Sequence, residues 1–166
     1  MRVLGVDPGV RATGYGVVDR RSGHLRLVEC GVVRPTPTLS LAGRLAEIHE
    51  GLVEVMERHP PSCVAVEDVF YGRNARTASV LGHARGVILM TAASRHVDVA
   101  EYPAAEIKKA VTGHGSATKT QVAFMVQRLL GLAEPPAPAD AADGCAAAIC
   151  HFLHGVGPVA EARARL

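Results

Sequence analysis

The chain has no tryptophan, and only three phenylalanines and three tyrosines among its 166 residues. A core must therefore be filled with aliphatic side chains and alanine, and any clustered aromatic pair stands out. The four cysteines, Cys30, Cys63, Cys145 and Cys150, include no C-x-x-C pair. That excludes a zinc-ribbon or thioredoxin-like motif and points to reduced thiols in a cytoplasmic protein. No apolar run approaches the length of a membrane span, and the opening Met1 to Asp7 reads as a strand rather than a signal peptide. Glycine follows no period, which excludes a collagen-like chain, and 48% hydrophobic residues exclude a disordered one. A strong charge of either sign is missing as well. Eighteen Lys and Arg face sixteen Asp and Glu, leaving +2, a balance that neither demands nor excludes a nucleic-acid partner.

What remains is the size of one domain, long enough to bury roughly 70% of its unfolded surface. Residues 1–155 read as that domain, and 156–166 as a frayed tail. Val3 to Asp7 is a short apolar run closed by the turn residues Asp7-Pro8-Gly9. Residues 13–19 and 25–34 are two further strands, with Ser22-Gly23 marking the turn between them, so the opening predicts an antiparallel meander. Leu41, Leu45, Ile48, Leu52, Val55 and Met56 recur at helical spacing over 41–58, and Pro60-Pro61 ends that helix. A buried strand is expected at 63–67, a helix at about 75–95 and a strand at 97–101. Further helices are expected from Pro103 to about 111, over 119–130 and over about 139–154, the last preceded by the stiff connector 135–138. This order does not repeat βαβ units. It predicts an α/β fold whose mixed sheet has an antiparallel half and a parallel half covered by helices.

Four carboxylates stand out by position. Asp7 and Glu67 each end a strand, where α/β sheets bind ligands. Asp140 and Asp143 are three apart at the start of the last helix and project from one face. Each has a plain structural reading: a turn residue for Asp7, a helix cap or first-turn acid for the last two. The strand order brings all four to one edge, and their clustering changes the balance. Acids without a His or Cys pattern suit a hard cation with oxygen ligands, Mg²⁺ or Mn²⁺. Two such ions would neutralise them and hold the attacking and leaving oxygens of a phosphodiester, which implies metal-assisted phosphoryl transfer.

Charge distribution suggests the substrate. From Phe70 to Arg128 there are eight Lys and Arg against three acids, so the neutral total hides a basic middle. It begins directly after Glu67, with Arg73 and Arg76 in its first residues, and favours a polyanion lying across the acidic site. Phe70-Tyr71, an aromatic pair in an aromatic-poor chain, is placed either to fill the core or to stack on an unpaired base. Two other motifs fail. Residues 113–120 resemble a phosphate-binding loop, but Thr118 stands where its second glycine is required. Gly14-Tyr15-Gly16 lacks the third glycine of a dinucleotide fingerprint. The histidines have no zinc-binding spacing, and only His114, in the glycine loop near Lys119, merits attention.

Four segments in order, VLGVDPGVRATGYGVV, VEDVF at 66–70, GHGSATKTQVAFMV at 113–126 and DAADGCAAAICH at 140–151, resemble the RuvC family of Holliday-junction resolvases. The likeness spans residues 2–155. It implies a ribonuclease-H-like fold with a five-stranded mixed sheet and helices on both faces. It also implies Asp7, Glu67, Asp140 and Asp143 as metal-binding catalytic acids, and Phe70 as the aromatic that meets bases near the crossover. By the same resemblance Lys108 and Lys119 contact the DNA backbone near the scissile phosphate. The implied active species is a homodimer that nicks a four-way DNA junction at symmetric places, leaving 5′-phosphates and 3′-hydroxyls, with a RuvA–RuvB complex as partner. Ala78, Gly82 and Gly86, four apart on the second helix, offer a face for close helix approach between copies or against the chain's own sheet. Asp68 departs from the family pattern, standing where relatives often carry a neutral amide. Two rival readings are a ribonuclease-H-like nuclease acting on structured RNA and an ATPase-like nucleotide-binding module. The second normally needs two such domains, for which this chain is too short.

Overall fold

Alternation along β1 (Arg2–Asp7) sets the plan of the molecule. Leu4 and Val6 point to one side of the sheet, while Val3, Gly5 and Asp7 point to the other. In the computed structural model, which describes residues 1–68 and 75–154, β1 is the central strand of five. The antiparallel meander continues through β2 (Thr13–Arg21) and β3 (His24–Val33). Ser22 and Gly23 both have positive φ, 49° and 83°, and join these strands as a two-residue turn matched to their twist. On the other side, β4 (Cys63–Asp68) and β5 (Asp98–Pro103) pair in parallel, giving the order β3-β2-β1-β4-β5.

Helices cover both faces. α1 (Leu41–Arg58) starts at Ser40, whose hydroxyl accepts from the Gly43 N–H, and buries Ile48, Leu52, Val55 and Met56. With α2 (Ala75–Ser94) it covers the face that carries Leu4, Val6, Val64 and Val66. α3 (Ala104–Thr112), α4 (Lys119–Leu130) and α5 (Ala139–Leu153) cover the other. The fold is the mixed sheet that the sequence predicts. One boundary differs. β5 runs to Pro103, so this proline closes an edge strand, where a missing N–H is tolerated, and also stands as the N-cap from which the next helix starts.

α5 is the centre of the packing, buried along most of its length by alanines rather than large side chains. It lies against β1 and β2 at backbone distance. A Cβ at Gly5 would fall 2.1 Å from the Gly144 carbonyl oxygen, and one at Gly16 would fall 2.5 Å from Cys145 Sγ. Only hydrogen at these positions permits the approach. Among the described residues no helix is long and apolar enough to cross a membrane. The predicted frayed tail, and Phe70, Tyr71 and Arg73, lie outside the described residues.

Candidate metal centre and active site

Because Asp7 and Glu67 close neighbouring parallel strands, and because both occupy the α5-facing positions, their carboxylates point the same way. Val6 pairs with Val66, one residue before each acid. The Asp7-Pro8-Gly9 turn is fixed from behind by the buried Thr13, whose hydroxyl donates to the Gly9 carbonyl at 2.7 Å. Opposite Asp7 on β2 stands Gly14, over which the first turn of α5 passes. A Cβ there would lie 1.8 Å from the Asp140 carbonyl oxygen. This close passage delivers Asp140 and Asp143 to the end of β1. Carboxylate oxygens of Asp7, Asp140 and Asp143 all lie within 4.8 Å of one another.

Electrostatics agree with the geometry. Burial pushes the Asp7 carboxyl up to about 7, with Glu67 and Asp143 raising it further and Lys119 pulling it down. Glu67 is also raised, by burial first and then by Asp143, against the lowering influence of Lys108 and Lys119. Acids held this close repel one another, and a divalent cation with oxygen ligands is the partner that relieves the repulsion. The donor set, all carboxylate and free of sulfur and imidazole, fits Mg²⁺ or Mn²⁺.

Lys119 opens α4, and its ammonium donates to Asp143 Oδ2 at 2.7 Å. Its charged form is favoured first by that bond, and its pKa is raised. Nothing local in the chain signals this pairing, whose partners are 24 residues apart. Lys119 is set in place by a capping box, with Thr118 accepting from the Gln121 N–H and the Gln121 side chain accepting from the Thr118 N–H. Lys108, on α3, is near enough to influence Glu67. Arg76 is exposed in the first turn of α2. His114 lines a groove with Thr112, Ser116, Thr120, Gln121 and the half-exposed Phe124, beside Lys119 in the chain. Gly14, which serves no dinucleotide motif, proves to be the residue that admits Asp140. Asp68 faces away from the acids, toward α2. On α2, Gly82 and Gly86 are exposed and a Cβ at either would meet nothing within 4 Å, whereas Ala78 is buried within its own chain. The glycines therefore do not pack on the sheet.

Residues 3–151 match the family model described as crossover junction endodeoxyribonuclease RuvC. A crossover junction endodeoxyribonuclease RuvC of Pelotomaculum thermopropionicum is 47% identical, covering 93% of this chain and 94% of its own. One of Desulforamulus reducens is 45% identical, covering 91% and 93%. A solved structure, Thermus thermophilus RuvC in complex with Holliday junction substrate, superposes with a TM-score of 0.83 at 35% identity, covering 93% and 94%.

Proposed function

The chain belongs to the RuvC family of crossover junction endodeoxyribonucleases, and from that premise we propose how its own residues carry out the reaction. It is a Holliday-junction resolvase, a nuclease of homologous recombination and DNA repair with a ribonuclease-H-like fold and a divalent-metal requirement. Neither the structured-RNA reading nor the ATPase-like one is favoured.

Asp7, Glu67, Asp140 and Asp143 would hold Mg²⁺, or Mn²⁺ in its place, at two ions per site. The observation that carries this assignment is the meeting of Asp7 from β1 with Asp140 and Asp143 from α5, carboxylate oxygens within 4.8 Å of one another. Glu67 at the end of β4 lies outside that close group and is coupled to it through its effect on Asp7 and that of Asp143 on it. Bound there, a divalent cation would supply Lewis acidity toward the phosphodiester. Asp7, whose carboxyl burial and neighbouring acids raise to about 7, would be drawn to its ionised form by that charge. Lys119 and Lys108, both close enough to act on the acids, contact the DNA backbone near the scissile phosphate. Phe70, Tyr71, Arg73 and Arg76, which follow β4 in the chain, contact the junction near its crossover. The products carry 5′-phosphate and 3′-hydroxyl ends.

One domain, residues 1–155, carries one site, so cutting two strands of like polarity requires two copies. A C2 homodimer matches a two-fold symmetric junction. The exposed Gly82 and Gly86 on α2 support that helix as its interface. A RuvA–RuvB branch-migration complex is the further partner that family membership suggests, and the cytoplasm is the compartment.

The test is incubation with a synthetic four-way junction and with linear duplex, with and without Mg²⁺. Paired symmetric nicks confined to the junction, and only with the metal, are expected. Asp7→Asn should bind the junction and not cut it. Cleavage by that variant at the wild-type rate would remove the metal-centre assignment.

A further inference from the structure

The end of β4 is paired in the sheet on one side only. The ladder with β1 runs only as far as Val6 and Val66, so Glu67 and Asp68 pair with β5 alone. Their partners there are Tyr102 and Pro103. The Glu67 carboxyl thus projects from backbone that is paired on one side.

A side-chain clamp sits directly behind it. On the α2 face of the sheet, Asp68 follows Val64 and Val66, and Glu101 follows Val99. Glu101 is in register with Val66, which makes Asp68 and Glu101 diagonal neighbours of like charge. Arg85 of α2 reaches between them. Its Nε donates to Glu101 Oε1 at 2.6 Å and lies 3.4 Å from Asp68 Oδ1. The guanidinium is less than one-third exposed. It therefore cancels the repulsion between the two acids and ties both strand ends to one helix.

We propose that Arg85 is a positioning residue for cleavage: from the sheet face opposite the metal centre it clamps Asp68 to Glu101 and so fixes the backbone from which Glu67 projects. It touches neither metal nor substrate, and acts through the end of β4. The acid at position 68 and the arginine at 85 form one device, so Asp68 adds no free negative charge beside Glu67. The inference rests on Glu67 being a metal ligand. Ion pairs at partly exposed positions add little to global stability. The effect therefore belongs in metal dependence and turnover, rather than in the melting temperature.

The experiment compares wild type, Arg85→Gln, Arg85→Lys and the double variant Arg85→Gln/Asp68→Asn as full-length proteins. Single-turnover cleavage of a four-way junction is measured across a Mg²⁺ titration, with junction affinity measured without Mg²⁺ and melting followed in parallel. Supports that orient metal ligands typically contribute about 10–100-fold in affinity or activity. For this indirect support, Arg85→Gln should slow cleavage about tenfold and raise the half-saturating Mg²⁺ concentration, with junction affinity unchanged. The double variant, relieved of the repulsion, should recover most of the loss. Should Arg85→Gln fail to fold, Arg85→Lys carries the test through the same rise in metal requirement, since a lysine cannot reproduce the arginine fork. Wild-type behaviour of Arg85→Gln would overturn the proposal, as would a parallel loss of binding and cleavage or no recovery in the double variant. Wild type and Asp7→Asn in the same assay test the metal centre separately.

Discussion

Replacing Gly14 with alanine adds one methyl group where, among the described glycines, a Cβ would come closest to its neighbours. The new Cβ would sit 1.8 Å from the Asp140 carbonyl oxygen and 2.5 Å from its carbonyl carbon. Both are backbone atoms, so no rotamer change can clear them. β2 cannot retreat either, since it is bonded to β1 on one side and β3 on the other. The first turn of α5 must lift by roughly 1 Å or more, and overpacking of this kind costs about 1–3 kcal/mol. Domain stabilities run at about 5–15 kcal/mol, so the variant should remain folded, melting several degrees lower. The same lift carries Asp140 and Asp143 away from Asp7, and a misplacement of about 1 Å is worth about 10²-fold in rate. Single-turnover cleavage of a four-way junction, read with a Mg²⁺ titration and a melting curve, separates the two effects. Expected are a folded protein, a rate about a hundredfold down and a raised metal requirement. A Gly14→Ala protein with the wild-type rate and metal midpoint would refute the claim that backbone contact between α5 and β2 sets the site.

In chelator, stability should fall as pH rises from about 4 to about 7, because the folded state keeps a proton on Asp7 that the unfolded chain has lost. A shift from 3.8 to about 7 puts the ceiling on the order of 4 kcal/mol. Asp7→Asn should flatten that slope, and a wild-type melting temperature indifferent to pH over this window would contradict it. Glu29 behaves in the opposite sense. Arg58 first, then Tyr15 and His59, hold its carboxyl down to about 2 against burial. Its contribution is present above about 4.5 and is lost as pH falls toward 2. Glu29→Gln should lower stability at pH 7 by about 1–2 kcal/mol after solvent screening, seen as a lower denaturant midpoint. Gly82→Leu, on the open face of α2, should leave the monomer fold intact and dissociate the dimer in sedimentation velocity. A dimer that persists would move the interface elsewhere.

The strands, helices and candidate acids were legible because each depends on local pattern. Short apolar runs bounded by turn residues mark the strands, and helical spacing marks α1. The acids are visible because Asp7 and Glu67 end strands and because Asp140 and Asp143 open a helix. What stayed hidden depends on pairs far apart in sequence. Lys119 reads as a DNA contact, and its bond to Asp143, 24 residues away, leaves no local signature. Arg85 reads as one more positive charge in a basic stretch until β4 and β5 place Asp68 and Glu101 around it. The position of Asp68 on the far face follows from strand parity. An unaligned sequence shows only that it adjoins Glu67.

The scarcity of large side chains and the chemistry of the acids have one cause. Packed elements usually stand apart by the height of the side chains between them, about 8–10 Å for helices. Bulkier side chains at this seam would hold α5 higher above β1 and move its first-turn carboxylates away from Asp7. Here hydrogen replaces side chains at Gly5, Gly14, Gly16 and Gly144, and alanines fill much of the rest of α5. The helix backbone comes down onto the strands, which brings the Asp7, Asp140 and Asp143 oxygens within 4.8 Å. A larger residue at any of these positions would add apolar area and would separate the acids. Small residues in this core therefore set the spacing of the acidic cluster, and their cost in buried area is offset by the tight contact they permit.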